Sequence, residues 1–211
     1  MYVPDHFSVS DIDALHALIR KYPLGMLVTH AVSGLDANHI PFVLEDAGQG
    51  PGVLHAHVAR NNPVWQDITD GDEVLVVFRA ADAYISPSWF PSKHEFHKQV
   101  PTWNYLVVHA YGKVTIQDDE RYVRGVVARL TRTHEASQPK PWKMTDSPPE
   151  FIDTMLRAIV GIQVDLTRLI GKFKFSQNKD RRDIESAGHF LIDRGDTEIG
   201  QAMLACAAAR R

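Results

Sequence analysis

The sequence predicts a mainly β protein with helices, built on a closed or nearly closed antiparallel β-barrel. Six strand-like segments precede residue 120, and only one short helix interrupts them. The connections between these segments are too short for crossover helices, which favours antiparallel pairing. The 211 residues and the hydrophobic content of 44% are typical of a soluble globular protein with a real core.

The first helix and the first three strands are clearly marked. Ser10 is a candidate N-cap, Asp13 stands three residues later, and Pro23 ends the helix, whose apolar stripe is Ile12, Leu15, Leu18 and Ile19. Strands are then predicted at 24–31, 38–44 and 53–58. The turns between them are expected at Ser33-Gly34 and in the glycine-rich GQGPG segment.

The middle of the chain adds three strands and a short helix. Asn62 followed by Pro63 is typical of a helix start. Strands are expected at 73–78 and 83–86, and a proline- and serine-rich loop then covers 86–101. The segment 102–116 alternates and is rich in aromatic and β-branched residues, which predicts a long strand.

The last third is predicted to be helical, then β, then helical again. A helix is expected from 119 to about 135, and a second opens at the Ser-Pro-Pro-Glu capping box of residues 147–150. A final pair of strands is expected at 160–166 and 171–176, and the alanine-rich end is helical. One domain over 1–195, with 196–211 as its helical C-terminal tail, is the simplest organisation.

Charge and composition narrow the function classes. The chain has 23 Lys and Arg against 26 Asp and Glu, a net charge of −3, which disfavours direct DNA binding although it leaves it possible. The single cysteine, Cys206, forms no internal disulfide. No signal peptide and no membrane span are expected, so a cytoplasmic protein is predicted.

No common catalytic signature is present in the sequence. A P-loop, a G-x-G-x-x-G after a strand, an H-E-x-x-H and a CxxC pair are all missing, so no catalytic residue is assigned. The histidine pairs 55/57 and 94/97 lack the further ligands that a metal site needs, and no metal is expected. His57 is instead a candidate hydrogen-bond partner for a bound ligand.

Three segments are candidate ligand contacts. In HVARNNP (57–63) a strand ends, Arg60 follows and a helix begins, which suits a phosphate; the alternative is an ordinary capped helix with a solvated arginine. In ISPSWFPSK and PTWNY, Trp89 and Trp103 suit a flat aromatic ligand, or simply pack in the core. In GKFKFSQN, Lys172 and Lys174 share one strand face, as a polar wall or as protection of an edge strand.

Taken in order, these motifs resemble those of one family. MYVP-HF, ANHIP, HVARNNP, DAYISPSWFPSK, VPTWNY with VHAYG, and RAIVGIQV leading to GKFKFSQN are similar to the PaiB family, described as FMN-binding negative transcriptional regulators. The resemblance covers residues 1 to about 190. It implies an FMN-binding split β-barrel with peripheral helices, shared with pyridoxamine-phosphate oxidase-like flavoproteins, and a homodimer with FMN at the subunit interface.

The resemblance also implies site residues and leaves three functions open. It places the phosphate near Arg60 and Asn61, and the flavin ring near Trp103 and Asn104. Further contacts are expected from a short list: Ser86, Lys174, Ser176, Gln177 and Asn178. The chain is then a regulator acting as a flavin-dependent sensor, a flavin-dependent oxidoreductase, or a non-catalytic module acting through a protein partner. Whether it is an enzyme, and whether haem can replace flavin, stay open.

Overall fold

The computed structural model describes residues 1–32, 34–46, 48 and 50–209. The strands in this part of the chain are β1 (Ser8–Val9), β2 (Leu24–Ala31), β3 (Gly34–Pro41), β4 (Val43–Glu45), β5 (Val53–Ala59), β6 (Glu73–Ile85), β7 (Thr102–Gln117) and β8 (Ile159–Lys174). The helices are α1 (Ile12–Lys21), α2 (Val64–Asp67), α3 (Pro91–Phe96), α4 (Glu120–Glu135), α5 (Pro149–Arg157), α6 (Arg181–Asp193) and α7 (Thr197–Ala208).

The chain forms two compact units. One, here called the barrel unit, comprises residues 12–78 and 109–169; the other, the helix unit, comprises 1–11, 79–108 and 170–211. Strands β6, β7 and β8 contribute residues to both units. The predicted division at residue 195 stays a prediction.

The barrel unit closes on itself. The strand order is β3-β2-β6-β7-β8-β5-β4, with β1 added to β8. Strands β3 and β4 stand at opposite ends of this order, yet only Phe42 separates them in the chain. The two ends of the sheet therefore meet at this residue. The predicted barrel is explained by this closure.

The interior of the barrel unit follows from alternation along paired strands. In β5, Leu54 and Ala56 are fully buried and stand opposite Val164 and Ile162 of β8, which are also fully buried. These apolar side chains share the inner face, because neighbours along a strand point to opposite faces. His55 and His57 consequently lie on the outer face of β5.

The helix unit has its own core between α6 and α7. Leu191 of α6 and Met203 of α7 are fully buried in a cluster with Ile85 of β6. The two helices approach closely, since a side chain built on Gly200 would lie 2.7 Å from the carbonyl oxygen of Gly188. The C-terminal tail is helical over Thr197–Ala208, as predicted, and this helix packs against α6.

Two predicted strand pairs are single long strands. The segments 73–78 and 83–86 join in the continuous β6, which ends at Ile85, one residue before the predicted end. The segments 160–166 and 171–176 join in β8, which ends at Lys174. Asp82, a residue type that is common in turns, lies within β6 and forms an ion pair with Arg79 of the same strand. Gly171 does not break β8, because it pairs with Val9 of β1. The predicted strand 38–44 begins instead at Gly34 and is interrupted at Phe42.

The expected loop at 86–101 contains helical structure. A 3-10 turn covers Pro87–Trp89, and α3 covers Pro91–Phe96. Proline is tolerated at the first position of a helix, where its missing N–H has no partner to lose. The prolines therefore start these turns instead of preventing them. His97 ends α3 in the left-handed conformation, with φ of 56°.

The remaining predicted boundaries vary in accuracy. The helix from 119 is confirmed, with Asp119 as its cap accepting a hydrogen bond from the Tyr122 N–H at 2.8 Å. The capping box at residues 147–150 is wrong, because the N-cap of α5 is Pro148, which has no side-chain acceptor. Of the predicted turns, Ser33 and Gln49 lie outside the described residues.

In the described part of the chain, no helix is long and apolar enough to cross a membrane.

Candidate functional site

Arg60, the predicted phosphate contact, is held by groups of the barrel unit. Its guanidinium donates to both carboxylate oxygens of Asp118, at 2.9 and 2.5 Å, and its Nε donates to the carbonyl oxygen of Arg157 at 2.8 Å. The hydrogen bonds from Arg60 lower the pKa of Asp118, so this carboxylate stays ionised. A phosphate that reaches Arg60 has to compete with Asp118.

The helix after Arg60 starts one residue later than predicted, at Val64, and is short. The N-cap is Pro63 instead of the predicted Asn62. The side chain of Asn62, one residue earlier, accepts a hydrogen bond from the Val64 N–H at 3.0 Å, and its amide donates to Asn38 at 2.7 Å. Because α2 has only four residues, it adds little helix dipole to an anion site. Asn61 is exposed to solvent.

The two histidines on the outer face of β5 differ in their surroundings. His55 Nδ1 lies 2.8 Å from the Tyr122 hydroxyl, and its Nε2 lies 3.2 Å from Glu45. His57 stands opposite Gly161, and its Nδ1 is buried with no hydrogen-bond partner in the described structure. Burial lowers the pKa of both imidazoles. The ring of His57 therefore retains an unused donor or acceptor, and its role as a ligand contact stays a prediction.

One further histidine resembles His57. His109 Nδ1 is also buried without a hydrogen-bond partner among the described residues, and burial lowers its pKa. Sequence reasoning missed this residue, because a lone histidine within an apolar strand gives no signal. Within the same part of the chain, no group of three or more His, Cys, Asp or Glu side chains is placed to hold a metal ion.

Two predicted flavin contacts pair with each other in the helix unit. Asn104 is fully buried and Ser176 is 1% exposed. The amide of Asn104 donates to Ser176 Oγ at 3.0 Å and contacts the sulfur of Met203 at 3.3 Å, while the Ser176 hydroxyl donates to Asn104 Oδ1 at 3.2 Å. Ser176 has a φ of 65°. Their polar atoms thus fix the turn after β8 against α7.

Three other predicted contacts lie around the same strands. Gln177 folds back on its own turn, accepting from the Phe175 N–H and donating to the Phe173 carbonyl, both at 2.6 Å. Ser86 accepts from the Ser88 N–H at 3.2 Å and so caps the 3-10 turn. Asn178 is exposed. Of these side chains, the carboxamide of Asn178 is the one presented to solvent.

An exposed aromatic surface covers one side of the sheet in the helix unit. Trp103 is 54% exposed, and its ring meets that of Tyr84 edge to face at a centroid distance of 6.0 Å. Ala83 and Ile85 pack towards α6 and α7, so Tyr84 between them points to the opposite side. Two large rings therefore stand on a face that these helices do not cover.

Lysines extend this surface. Lys172 lies 5.3 Å from the ring centroid of Tyr105 and donates to the carbonyl oxygen of Tyr2 at 3.2 Å. Lys174 donates to the hydroxyl of Thr102. Its pKa is lowered by burial, and also by the positive charges of Lys172 and Lys179. We call Tyr84, Trp103, Tyr105, Lys172 and Lys174 the aromatic–lysine face.

The face combines groups that suit a flat aromatic ligand that carries or gains negative charge. Exposed rings offer stacking surface, and two ammonium groups offer positive charge beside it. Trp103 and Lys174 were predicted from the sequence, whereas Tyr84 and Tyr105 were missed. Alternation along β6 is the signal that could have identified Tyr84, since it separates Tyr84 from the buried Ala83 and Ile85.

Comparison with known proteins agrees with this chemistry. A family model described as "Putative FMN-binding domain" matches residues 1–168. A Bacillus subtilis protein named protease synthase and sporulation protein PAI 2 is 27% identical over 183 residues, covering 87% of this chain and 85% of its own. A protein of Emericella nidulans, AN0679, is 32% identical over 218 residues, covering 87% of each chain. The expected resemblance to the PaiB family is confirmed.

Solved structures agree with the fold. The flavocytochrome Anf3 from Azotobacter vinelandii superimposes with a TM-score of 0.57 at 9% identity, over 82% of this chain and 72% of its own. An FAD- and haem-binding protein from Mycobacterium smegmatis gives 0.55 at 14% identity, over 80% and 73%. The predicted antiparallel split β-barrel with peripheral helices is confirmed.

Proposed function

We propose that this chain, which belongs to the FMN-binding domain family, holds FMN with its flavin ring against the aromatic–lysine face. The observation that carries the proposal is the exposed pair of Trp103 and Tyr84, with the ammonium group of Lys172 on the same face. Large exposed rings beside positive charge are unusual on a surface without a ligand or partner.

The residues present fit the group. Trp103 and Tyr84 supply apolar ring surface for the isoalloxazine, which is flat and aromatic. Lys172 and Lys174 supply ammonium groups, whose present acceptors are the neutral oxygens of Tyr2 and Thr102. Asn104 and Ser176 support the face from within instead of contacting the ligand, because both are buried and bonded to each other.

The bound flavin supplies one- and two-electron redox chemistry. The protein's part is to bind, orient and polarise. Lys172 and Lys174 place positive charge beside the ring, which favours any state of the ligand that carries more negative charge. The rings of Trp103 and Tyr84 exclude water from one side. Catalytic residues in the strict sense stay unassigned.

Arg60 and Asn61 of the barrel unit stay the phosphate contacts that the resemblance implies. They are proposed on that ground alone, separately from the ring position. The guanidinium has the planar, bidentate geometry that phosphate recognition uses, although it is now directed at Asp118. Replacing Asp118 by Asn removes the competing charge. If the phosphate reaches Arg60, Asp118→Asn tightens FMN but not riboflavin, which lacks the phosphate. Equal effects on both ligands would remove Arg60 from the phosphate site.

The direct test of the ring position is an FMN titration of purified protein, followed by quenching of flavin fluorescence. Stacking on an aromatic side chain is worth ~1–3 kcal/mol per ring, so Trp103→Leu is expected to weaken FMN by about tenfold. Trp142→Leu is the matched control, since Trp142 is 41% exposed and lies in the barrel unit. Equal affinities of the two variants would contradict the proposed position.

Homodimerisation is the second part of the proposal. The resemblance implies a homodimer with FMN at the interface, and a second copy would cover Trp103 and Tyr84, which are 54% and 40% exposed in the single chain. Light scattering on the FMN-loaded protein should give a mass of two chains, and Trp103→Glu should shift it towards one. A single-chain mass for the loaded wild type would count against the interface.

The third part of the proposal concerns the biological role of the bound flavin. We propose a flavin-dependent sensor that controls expression through a protein partner, because a net charge of −3 disfavours phosphate-backbone binding. A mobility-shift assay at low salt should then show no retardation of promoter DNA by the protein alone. NAD(P)H oxidation by the FMN-loaded protein tests the rival oxidoreductase. Steady turnover would favour the enzyme over the sensor.

A further inference from the structure

The helix unit contains a polar cavity whose lining shares no residue with the aromatic–lysine face, although one lining residue, Asn178, is among the flavin contacts that the resemblance implies. Its volume is about 300 Å³, and it is lined by Ser92, Phe96, Lys98, Gln99, Asn178, Lys179 and Asp180. The lining thus carries two ammonium groups and one carboxylate. A cavity of this size accepts a small metabolite rather than a flavin with its ribityl chain.

A chain of hydrogen bonds fixes one of the two ammonium groups. Lys179 Nζ donates to Gln99 Oε1 at 2.7 Å, and Gln99 Nε2 donates to Ser92 Oγ at 2.8 Å. The Ser92 hydroxyl donates in turn to Asp183 at 2.5 Å. Asp183 is fully buried and also accepts from the Ser92 N–H at 3.0 Å. Lys179 is therefore anchored to a buried carboxylate through two neutral side chains, which limits its rotamer freedom before any ligand arrives.

The backbone beside the cavity is unusual on both sides. In the described residues, His97 and Ser176 are the two residues other than glycine with positive φ, at 56° and 65°. His97 directly precedes Lys98, and Ser176 lies two residues before Asn178. Such conformations cost free energy and persist only where surrounding contacts impose them. Both segments that bring lysine or asparagine to the cavity are thus held in defined positions.

We infer that this cavity, the Lys98–Lys179 pocket, binds a small molecule bearing a phosphate or carboxylate group. Two ammonium groups attract an oxyanion, and the exposed Asn178 carboxamide adds a donor and an acceptor. Phe96, which is 61% exposed, offers apolar surface for the rest of the ligand. Asp180 reduces the positive charge of the lining, so the pocket favours small ligands of low charge over polyphosphates.

This site goes beyond the proposed flavin function and is tested independently of it. Isothermal titration with inorganic phosphate and with succinate, on protein with and without FMN, distinguishes phosphate from carboxylate chemistry. At least one probe is expected to bind without releasing FMN, and Lys98→Met and Lys179→Met should each weaken that probe by about tenfold. Lys140→Met is the matched control, because it removes the same charge from an exposed loop of the barrel unit.

The outcomes of these titrations distinguish a failure of the Lys98–Lys179 pocket from a failure of the proposed flavin function. Binding of neither probe, or equal binding by all three lysine variants, overturns the pocket. Release of FMN by the probe also overturns it, since the cavity would then belong to the flavin site. If FMN itself does not bind, the same titrations on the flavin-free protein still decide the pocket. Circular dichroism of Lys179→Met checks that its α-helix content is retained, and Lys98→Met provides the second variant should it not be.

Discussion

The substitution Asn104→Ala tests whether Asn104 supports the aromatic–lysine face from within or contacts the flavin. The substitution removes both hydrogen bonds between Asn104 and Ser176 and leaves the buried Ser176 hydroxyl without a partner. An orphaned buried polar group costs ~1–3 kcal/mol, and the lost carboxamide also leaves a cavity beside Met203, so the free energy of unfolding should fall by about 2–4 kcal/mol. For a chain of this size the melting temperature should drop by about 4–16 °C.

Urea denaturation of single and double variants measures this directly. Ser176→Ala alone should also destabilise, because it orphans the Asn104 amide. The double variant should lose about 1–2 kcal/mol less than the sum of the two singles, since neither partner is then left alone. At temperatures where the fold persists, FMN affinity should be unchanged. A stable Asn104→Ala variant that loses FMN would refute the support role and restore Asn104 as a flavin contact.

Three further predictions concern the barrel unit. Gly161→Ala should destabilise by ~1–3 kcal/mol in a thermal melt, because its new methyl group would lie 2.6 Å from the Tyr122 ring; an unchanged melt would contradict the packing. Burial lowers the pKa of His57 below 6.5, so its contribution to stability is present above pH 6.5 and is lost as pH falls; His57→Gln should flatten this decline in urea midpoints between pH 7.5 and 5.5. Asp118→Asn should leave the fold intact and tighten FMN selectively, and loss of FMN instead would mean that Arg60 needs its carboxylate partner.

Local patterns were enough for much of the fold. The sequence predicts β2 at its observed bounds and β5 to within one residue, because both are short segments bounded by turn signals. In β2 the side chains also alternate between buried and half-buried or exposed. The helix α4 was equally clear, since Asp119 caps it and its apolar residues recur at helical spacing. These signals lie within a dozen residues of one another.

What failed depends on contacts between distant residues. Strand β1 has only two residues and exists because Ser8 and Val9 pair with β8. The continuity of β6 through Asp82 overrides a residue type that is common in turns. Neither feature can be read from a short window of sequence.

The candidate site shows the same division. Trp103 is a predicted flavin contact because aromatic residues near a strand end suggest a ligand. The ring that it meets, Tyr84, lies on another strand, and only the fold joins the two. Asn104 stays a predicted ligand contact, and the fold adds that Met203 on α7, about a hundred residues later, helps to enclose it. The sequence therefore shows which residue types are available for a ligand. It does not show whether each side chain points into solvent or into the core.

The visible absorption spectrum of the protein as purified, with identification of the flavin released by acid, tests the central claim most directly. The account predicts a yellow protein that releases FMN at close to one molecule per chain and takes it up again after removal. A colourless protein that leaves the fluorescence of added FMN unchanged would contradict it.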